Sequence, residues 1–151
     1  MAKVRLATEA DIPRIIELYR QLTITTSDAE KRQSPSADDY KNVFDQINQQ
    51  EGHSLLVAEE DGQVTGTMVF LVVPSLSHNG LPWAVIENMV VEENKRRSGA
   101  GRLLVEYALK LAGKAGCYKI QLASTNSRKE AHTFYRSMGF IARAKGFRLY
   151  L

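Results

Sequence analysis

Hydrophobic residues recur along this chain with two periods, and each change of period marks a new element. Val4 and Leu6 alternate with polar neighbours between Lys3 and Ala7, which predicts a short first strand. Thr8 opens Thr-Glu-Ala-Asp, an N-cap followed by acids, and Ile12, Ile15, Ile16, Tyr19 and Leu22 then recur at helical spacing. Pro13 is tolerated so near a helix start. A polar loop is expected over residues 23–36. Ser36, with Asp39 three residues on, predicts a second N-cap and a helix to about Gln49. His53 to Glu60 and Gln63 to Val73 read as strands joined by the turn dipeptide Asp61-Gly62. A loop from Pro74 to Pro82 leads to a strand from Trp83 to Val91. Arg102 to Ala115 predicts a helix with Leu103, Leu104, Tyr107, Ala108 and Leu111 on one face and Gly116 as its C-cap. A strand at Lys119 to Ala123, a helix at Glu130 to Met138 stopped by Gly139, and two strands near Phe140 to Arg143 and Phe147 to Leu151 finish the chain. The order is β-α-α-β-β-β-α-β-α-β-β, with no repeat or linker, so one domain over residues 1–151 is expected.

Composition narrows the function classes. The chain is 44% hydrophobic and 25% charged, ordinary for a globular protein. It has no run long and apolar enough to span a membrane and no secretory pattern at Met1 to Asp11. One cysteine, Cys117, excludes an internal disulfide and points to the cytoplasm; with three scattered histidines, no metal site is expected. Cys117 at a helix-to-strand junction reads as a structural thiol, so no covalent cysteine intermediate is expected. The net charge of +3 is mild, and the basic residues are not interleaved with aromatics along a helix face, so nucleic acid is not the expected partner.

The basic residues instead gather in Val90-Val-Glu-Glu-Asn-Lys-Arg-Arg-Ser-Gly-Ala-Gly-Arg-Leu-Leu104. A strand leads through a basic glycine loop into a helix. The first turn of a helix carries N–H groups without intrahelical partners and a partial positive charge. Glycines let that backbone close on a ligand. The segment from Arg97 to Gly101 can therefore wrap a phosphate, with Lys95, Arg96, Arg97 and Arg102 adding charge. The mononucleotide pattern GxxxxGK[ST] and the dinucleotide pattern GxGxxG are both absent; the pattern present is Arg96-x-x-Gly99-x-Gly101.

On this motif the sequence resembles the GNAT superfamily of acetyl-coenzyme A-dependent N-acetyltransferases, whose signature is [R/Q]-x-x-G-x-[G/A] after a strand. Ala131-His-Thr-Phe-Tyr-Arg-Ser-Met-Gly-Phe140 resembles that family's A-x-x-F-Y-x-x-x-G-F segment, and the element order is similar over nearly the whole chain. The resemblance implies an α/β (α+β) fold. Its central sheet would be mixed and mostly antiparallel, with about seven strands flanked by four helices and strands four and five splayed. It implies acetyl-coenzyme A as co-substrate. Arg96, Arg97, Ser98, Gly99, Ala100, Gly101 and Arg102 would hold the pyrophosphate. Main chain at Met89, Val90 and Val91, freed by a bulge, would pair with the pantetheine arm, and Asn126 and Tyr135 would contact it. For Asn126 the alternative is a turn residue before a helix.

Acetyl transfer to an amine sets three demands. An alkyl amine with a pKa of about 10.4 must lose a proton before it attacks. The oxyanion that develops needs an N–H donor. The leaving thiolate needs a proton, which a phenol of pKa about 10 supplies without itself being ionised at neutral pH. The family match points to Tyr135 as that acid, the alternative being a core tyrosine with a satisfied hydroxyl. Glu87 interrupts the apolar strand Ala84 to Val91, where a carboxylate is costly unless it meets a cleft or a partner. It is the candidate base, the alternative being an ion pair with a nearby Arg or Lys. His53, His78 and His132 read as structural or exposed, His78 bordering a possible acceptor site.

The resemblance places the acceptor between Thr23 to Pro35 and Pro74 to Trp83, whose hydroxyls, charges, His78 and Asn79 suit a small polar primary amine. Ile86-Glu87-Asn88 and Gly116 to Ile120 also resemble glucosamine-phosphate N-acetyltransferases, which usually carry an aspartate where Asn88 stands. Peptide, protein or amino-sugar amines and a non-catalytic coenzyme A sensor are the alternatives. The family is often dimeric, and Phe147 to Leu151 offers an apolar edge for a homodimer.

Overall fold

The computed structural model describes residues 1–22 and 25–151. Its centre is a five-stranded sheet in the order β1-β2-β3-β4-β5, with β1 Lys3–Leu6, β2 His53–Glu60, β3 Gln63–Val73, β4 Trp83–Val91 and β5 Ile120–Gln121. The first four strands pair antiparallel and β5 joins β4 in parallel, so the sheet is mixed and mostly antiparallel. The helices are α1 Ile12–Tyr19, α2 Asp28–Lys31, α3 Ala37–Gln49, α4 Ser77–Gly80, α5 Ala100–Ala115 and α6 Lys129–Ser137.

The sheet is covered on both faces, which explains the unbroken apolar run in β2. Leu56 and Ala58 pack with Met68, Phe70 and the buried stripe Leu104, Val105, Ala108 and Ala112 of α5. Leu55 and Val57 point the other way, onto Ile15 and Leu18 of α1 and Phe44 of α3. Strands buried on both faces lose the polar alternation of a half-exposed strand. Local signals set the helix starts. Asp39 N–H donates to Ser36 Oγ at 3.2 Å and Ser36 N–H donates to the Asp39 carboxylate at 2.7 Å, the reciprocal cap expected for α3. Before α1, the Asp11 carboxylate accepts Thr8 N–H at 2.7 Å and Arg5 Nη1 at 2.7 Å. Arg5 also donates to Glu59 of β2 at 2.6 Å, so it fastens α1's start to the sheet.

Strand β4 carries a bulge. Val90 pairs with Thr67 and Glu87 with Val69, so one residue of β3 faces the two residues Asn88 and Met89. Asn88 takes a φ of 50°, a left-handed conformation that Asn tolerates better than most residues. The extra residue reverses the strand's faces. Ala84 and Ile86 pack on the α5 side, but beyond the bulge Met89 and Val91 take that side while Val90 turns to α1.

The structure departs from the sequence reading at three places. The expected total of seven strands and four helices becomes, among the described residues, five strands and six α-helices. The strands expected near Phe140 to Arg143 and Phe147 to Leu151 do not form, and β5 shrinks from five residues to Ile120–Gln121. Alternation alone makes no strand without a neighbour to bond. Ile141, Phe147, Leu149 and Leu151 lie exposed. The two added helices are single turns inside expected loops. Ser27 caps α2 by accepting Glu30 N–H at 3.0 Å, and α4 contains His78 and Asn79 at φ of 50° and 61°. Of the acceptor loop expected from Thr23 to Pro35, Thr23 and Ile24 lie outside the described residues.

Candidate functional site

The pairing of β4 with β5 consists of Ala84 with Ile120 and Val85 with Gln121. From Ile86 onward β4 bonds β3 alone, so the two strands part. A cleft of about 820 Å³ runs from the open half of β4 to the glycine loop and α6. Met89, Val90 and Val91 form its floor, Arg96, Arg97, Gly99, Gly101 and Arg102 one wall, and Ala131, Phe134 and Tyr135 of α6 the other.

The loop is shaped as its composition requires. Gly99 sits at the N-cap of α5 with φ 95°, a conformation side chains resist. No side chain caps this helix, and its first turn holds no acid. Among the described residues, the amides of Arg97, Gly99, Ala100, Gly101 and Arg102 have no acceptor; the first bond of α5 runs from Leu103 N–H to Gly99 C=O at 3.0 Å. Helix α3, with its reciprocal Ser36–Asp39 cap, shows what a helix start looks like when the protein satisfies it. At Gly101 an added Cβ would lie 3.2 Å from Met89 Cε and 3.5 Å from Phe134 Cζ. The first of these is the mobile end of a side chain, so alanine is sterically manageable there and larger residues would fill the cleft.

Of the residues expected around the coenzyme, Ser98, Ala100, Asn126 and Lys95 are placed differently. Ser98 N–H donates to the Lys95 carbonyl at 3.3 Å, and its side chain is not among the cleft's lining. Ala100 is buried with its methyl in the core, which leaves only its amide for a ligand. Asn126 is exposed in the turn before α6, where Ser127 and Arg128 line the cleft instead. Lys95 turns away from the cleft toward Glu60, 3.7 Å distant. Arg96 Nε donates to the Val91 carbonyl at 3.3 Å, which holds the loop against the end of β4. Arg102 reaches toward Glu106 at 3.9 Å with both side chains well exposed.

Tyr135 is buried at 9% exposure between Phe134 and Phe140, with ring centroids 5.3 and 5.9 Å away. Its hydroxyl donates to Met89 Sδ at 3.7 Å. A thioether is a weak acceptor, easily exchanged for a better one. Burial raises the phenol above its ordinary value of 10.0, against an opposing pull from the Arg128 charge, so it keeps its proton at neutral pH.

Glu87 lies on the open half of β4, exposed, and has no ion-pair or hydrogen-bond partner among the described residues. Its carboxylate avoids the cost of burial by facing solvent, and the ion pair weighed as its alternative role is not formed. Cys117 is half-buried against the α5 core, and burial pushes its thiol up, consistent with a structural residue. His78 stacks on Tyr118 with centroids 3.9 Å apart, His132 Nε2 lies 2.8 Å from the Thr125 carbonyl, and His53 Nδ1 lies 3.1 Å from Gln50 Oε1. Among the described residues no cluster of three or more His, Cys, Asp or Glu side chains suits a metal ion, and no helix is long and apolar enough to cross a membrane. Sequence reasoning missed Gln21 and Leu22, which reach the cleft from the end of α1. No local pattern marked Gln21, and Leu22 stood out only as part of the apolar face of the first helix.

A half-open sheet with a glycine loop at the parting of its strands defines a class of α/β fold. Residues 12–140 match the acetyltransferase (GNAT) family, and the chain belongs to that family. It is 28% identical to a glucosamine 6-phosphate N-acetyltransferase of Trypanosoma brucei brucei, over 58% of this chain and 58% of that protein. The match thus spans under two thirds of that relative. A glucosamine-6-phosphate N-acetyltransferase structure from Arabidopsis thaliana superposes with TM-score 0.85 at 25% identity, covering 99% of this chain and 98% of that one. A structure described as a transcriptional regulator from Bacillus halodurans C-125 superposes with TM-score 0.87 at 26% identity over the whole of both chains.

Proposed function

We propose that this protein transfers an acetyl group from acetyl-coenzyme A to the primary amine of a small polar metabolite, with both substrates bound together. The observation that carries this reading is the set of free amides between Arg97 and Arg102 at an uncapped helix start, opening onto a strand that is unpaired on one side. That combination suits an elongated ligand with an anionic head and a peptide-like arm. The amides of Arg97, Gly99, Ala100, Gly101 and Arg102 hold the pyrophosphate, and the Arg96, Arg97 and Arg102 side chains add charge. Open main chain at Met89, Val90 and Val91 bonds the arm's amides. Acetyl-coenzyme A would supply an activated acyl thioester.

The chain's own residues then serve the proton transfers. Glu87, exposed beside the bulge, accepts the proton that the incoming ammonium must shed, directly or through water. Tyr135, kept neutral by burial, holds a proton at Oη for the departing sulfur. Amino-sugar phosphates are the second acceptor reading, favoured by two relatives described as acting on glucosamine 6-phosphate. The exposed apolar tail at Phe147, Leu149 and Leu151 supports a homodimer, which sedimentation at micromolar concentration tests.

The test is thiol release from acetyl-coenzyme A across a panel of amino sugars, amino acids, polyamines and peptides. Calorimetry of coenzyme binding runs alongside. Binding with turnover on one amine class is expected. Binding without release on any amine would favour a sensor, and no binding would remove the reading.

A further inference from the structure

The site as described leaves one half-buried ionic network unused. Glu92 follows β4 immediately, and its main-chain N–H donates to the Thr65 carbonyl at 2.8 Å, which fixes its position on the sheet. Its carboxylate then reaches helix α1 and the residues after it. Arg14 Nη2 donates to Oε2 at 2.5 Å, and Gln21 Nε2 donates to Oε1 at 2.7 Å. The Gln21 carboxamide oxygen accepts the Glu93 N–H at 3.0 Å, so Gln21 grips two consecutive residues at the entrance of the glycine loop. Arg14 is itself held, with Nε donating to the Val64 carbonyl at 3.0 Å and Nη1 3.0 Å from Glu17. The Arg14 and Gln21 donors hold the Glu92 carboxyl below the usual carboxylate range.

This network joins two parts of the cleft that lie 71 positions apart along the chain. Gln21 and Leu22 line the cleft from one side, and Arg96, Arg97 and Gly99 from the other. We propose that Glu92 is a positioning residue for the coenzyme. Together with Gln21 it fastens the end of α1 to the glycine loop, so that loop and helix end meet the ligand as one preformed wall. Without it, the free amides must be ordered at the moment of binding, and affinity falls by that ordering cost. The proposal rests on the cleft's being the acetyl-coenzyme A site.

Calorimetric titration with acetyl-coenzyme A tests it on wild type, Glu92→Ala, Gln21→Ala and the double variant. Asp11→Asn is the control, since Asp11 fastens the opposite end of α1 through Arg5 and Thr8 and bonds neither Glu92 nor Gln21. Each single variant is expected to raise Kd about tenfold, with the double variant no worse than the more damaging single one, as coupled groups behave. Glu92→Gln keeps an oxygen for Gln21 and should recover most of the loss. Asp11→Asn should lower the melting temperature and leave Kd within twofold. Gln21→Ala cuts a half-buried side chain back to its methyl and keeps the test valid should Glu92→Ala fold poorly. Wild-type binding with Glu92→Ala and Gln21→Ala both within twofold overturns the positioning role alone. A Kd for Asp11→Asn that rises as much as theirs overturns it too, because stability would then explain all three. A wild type that gives no heat instead removes the functional reading beneath it.

Discussion

Strand β4 is apolar at both ends, yet its two halves do opposite work. At Ala84 and Val85 it is paired on both sides, to β3 and to β5, and Ala84 is wholly buried. From Ile86 to Val91 it is bonded on one side, bulged at Asn88, and exposes Glu87 and Asn88. Backbone groups in the closed half are spent on the sheet, while on the β5-facing side of the open half they remain for a ligand. One continuous strand therefore holds the fold at one end and offers a template at the other. The distinction comes from its neighbours as much as from its own residues.

The sharpest way to break the comparison is a charge in the closed half. Ala84→Asp puts a carboxylate between β3, β5 and α5 with no partner, a cost of several kcal/mol against a total stability of about 5–15 kcal/mol. Circular dichroism is expected to show an unfolded chain at 25 °C. A variant melting near wild type would mean that the β4–β5 junction is open along its whole length.

Next in size is the residue that faces the open half. Tyr135→Phe removes the hydroxyl that donates to Met89 and leaves the ring among Phe134 and Phe140. Turnover should fall about tenfold or more, with the coenzyme Kd within threefold, since acid–base groups contribute ~10²–10⁴ and the ring packing survives. Near-normal turnover would reduce Tyr135 to a core residue.

How much of this was legible beforehand divides along the same line. The glycine loop could be read because its physics is local: a strand end, glycines, basic side chains and a helix start are contiguous in sequence. The Ser36–Asp39 cap was readable for the same reason. The terminal strands were misread because Phe140 to Arg143 and Phe147 to Leu151 alternate without a strand to pair with, and alternation reports a preference, not a partner. The bulge was anticipated only as something that would free Met89 to Val91. Its position at Asn88, and the reversal that sends Val90 to α1, depend on pairing with Thr67 and Val69 and leave no mark on the strand itself. Lys95 was assigned to the phosphate because it adjoins Arg96, yet a turn of the chain gives it to Glu60. Glu92 and Gln21 were invisible because their bond is made by the fold.

Glu87 tests whether the open half is chemically active or merely uncovered. Glu87→Gln changes one exposed group on the open half, so the melting temperature should stay within ~1 °C. Turnover should fall about threefold or more, and the low-pH limb of the pH–rate profile should shift, because the amide cannot take a proton. An unmoved profile would assign the base elsewhere and leave the open half a binding surface only.

The smallest effect probes the bulge that separates the halves. At φ 50°, Asn88 occupies a region that costs most L-residues roughly 1–2 kcal/mol, less for Asn and nothing for Gly. Asn88→Ala should therefore lose about 1 kcal/mol relative to Asn88→Gly, a difference of roughly 2–4 °C in melting temperature for a chain of this size. Both should keep the bulge, since the pairing of Thr67 with Val90 and Val69 with Glu87 fixes it from either side. Coenzyme affinity should then be equal in the two variants while their stabilities differ. Equal stabilities would mean that the residue does not hold the left-handed conformation in solution. In that case β4 would pair in regular register, the faces beyond Glu87 would not reverse, and Met89 would no longer lie beneath Tyr135.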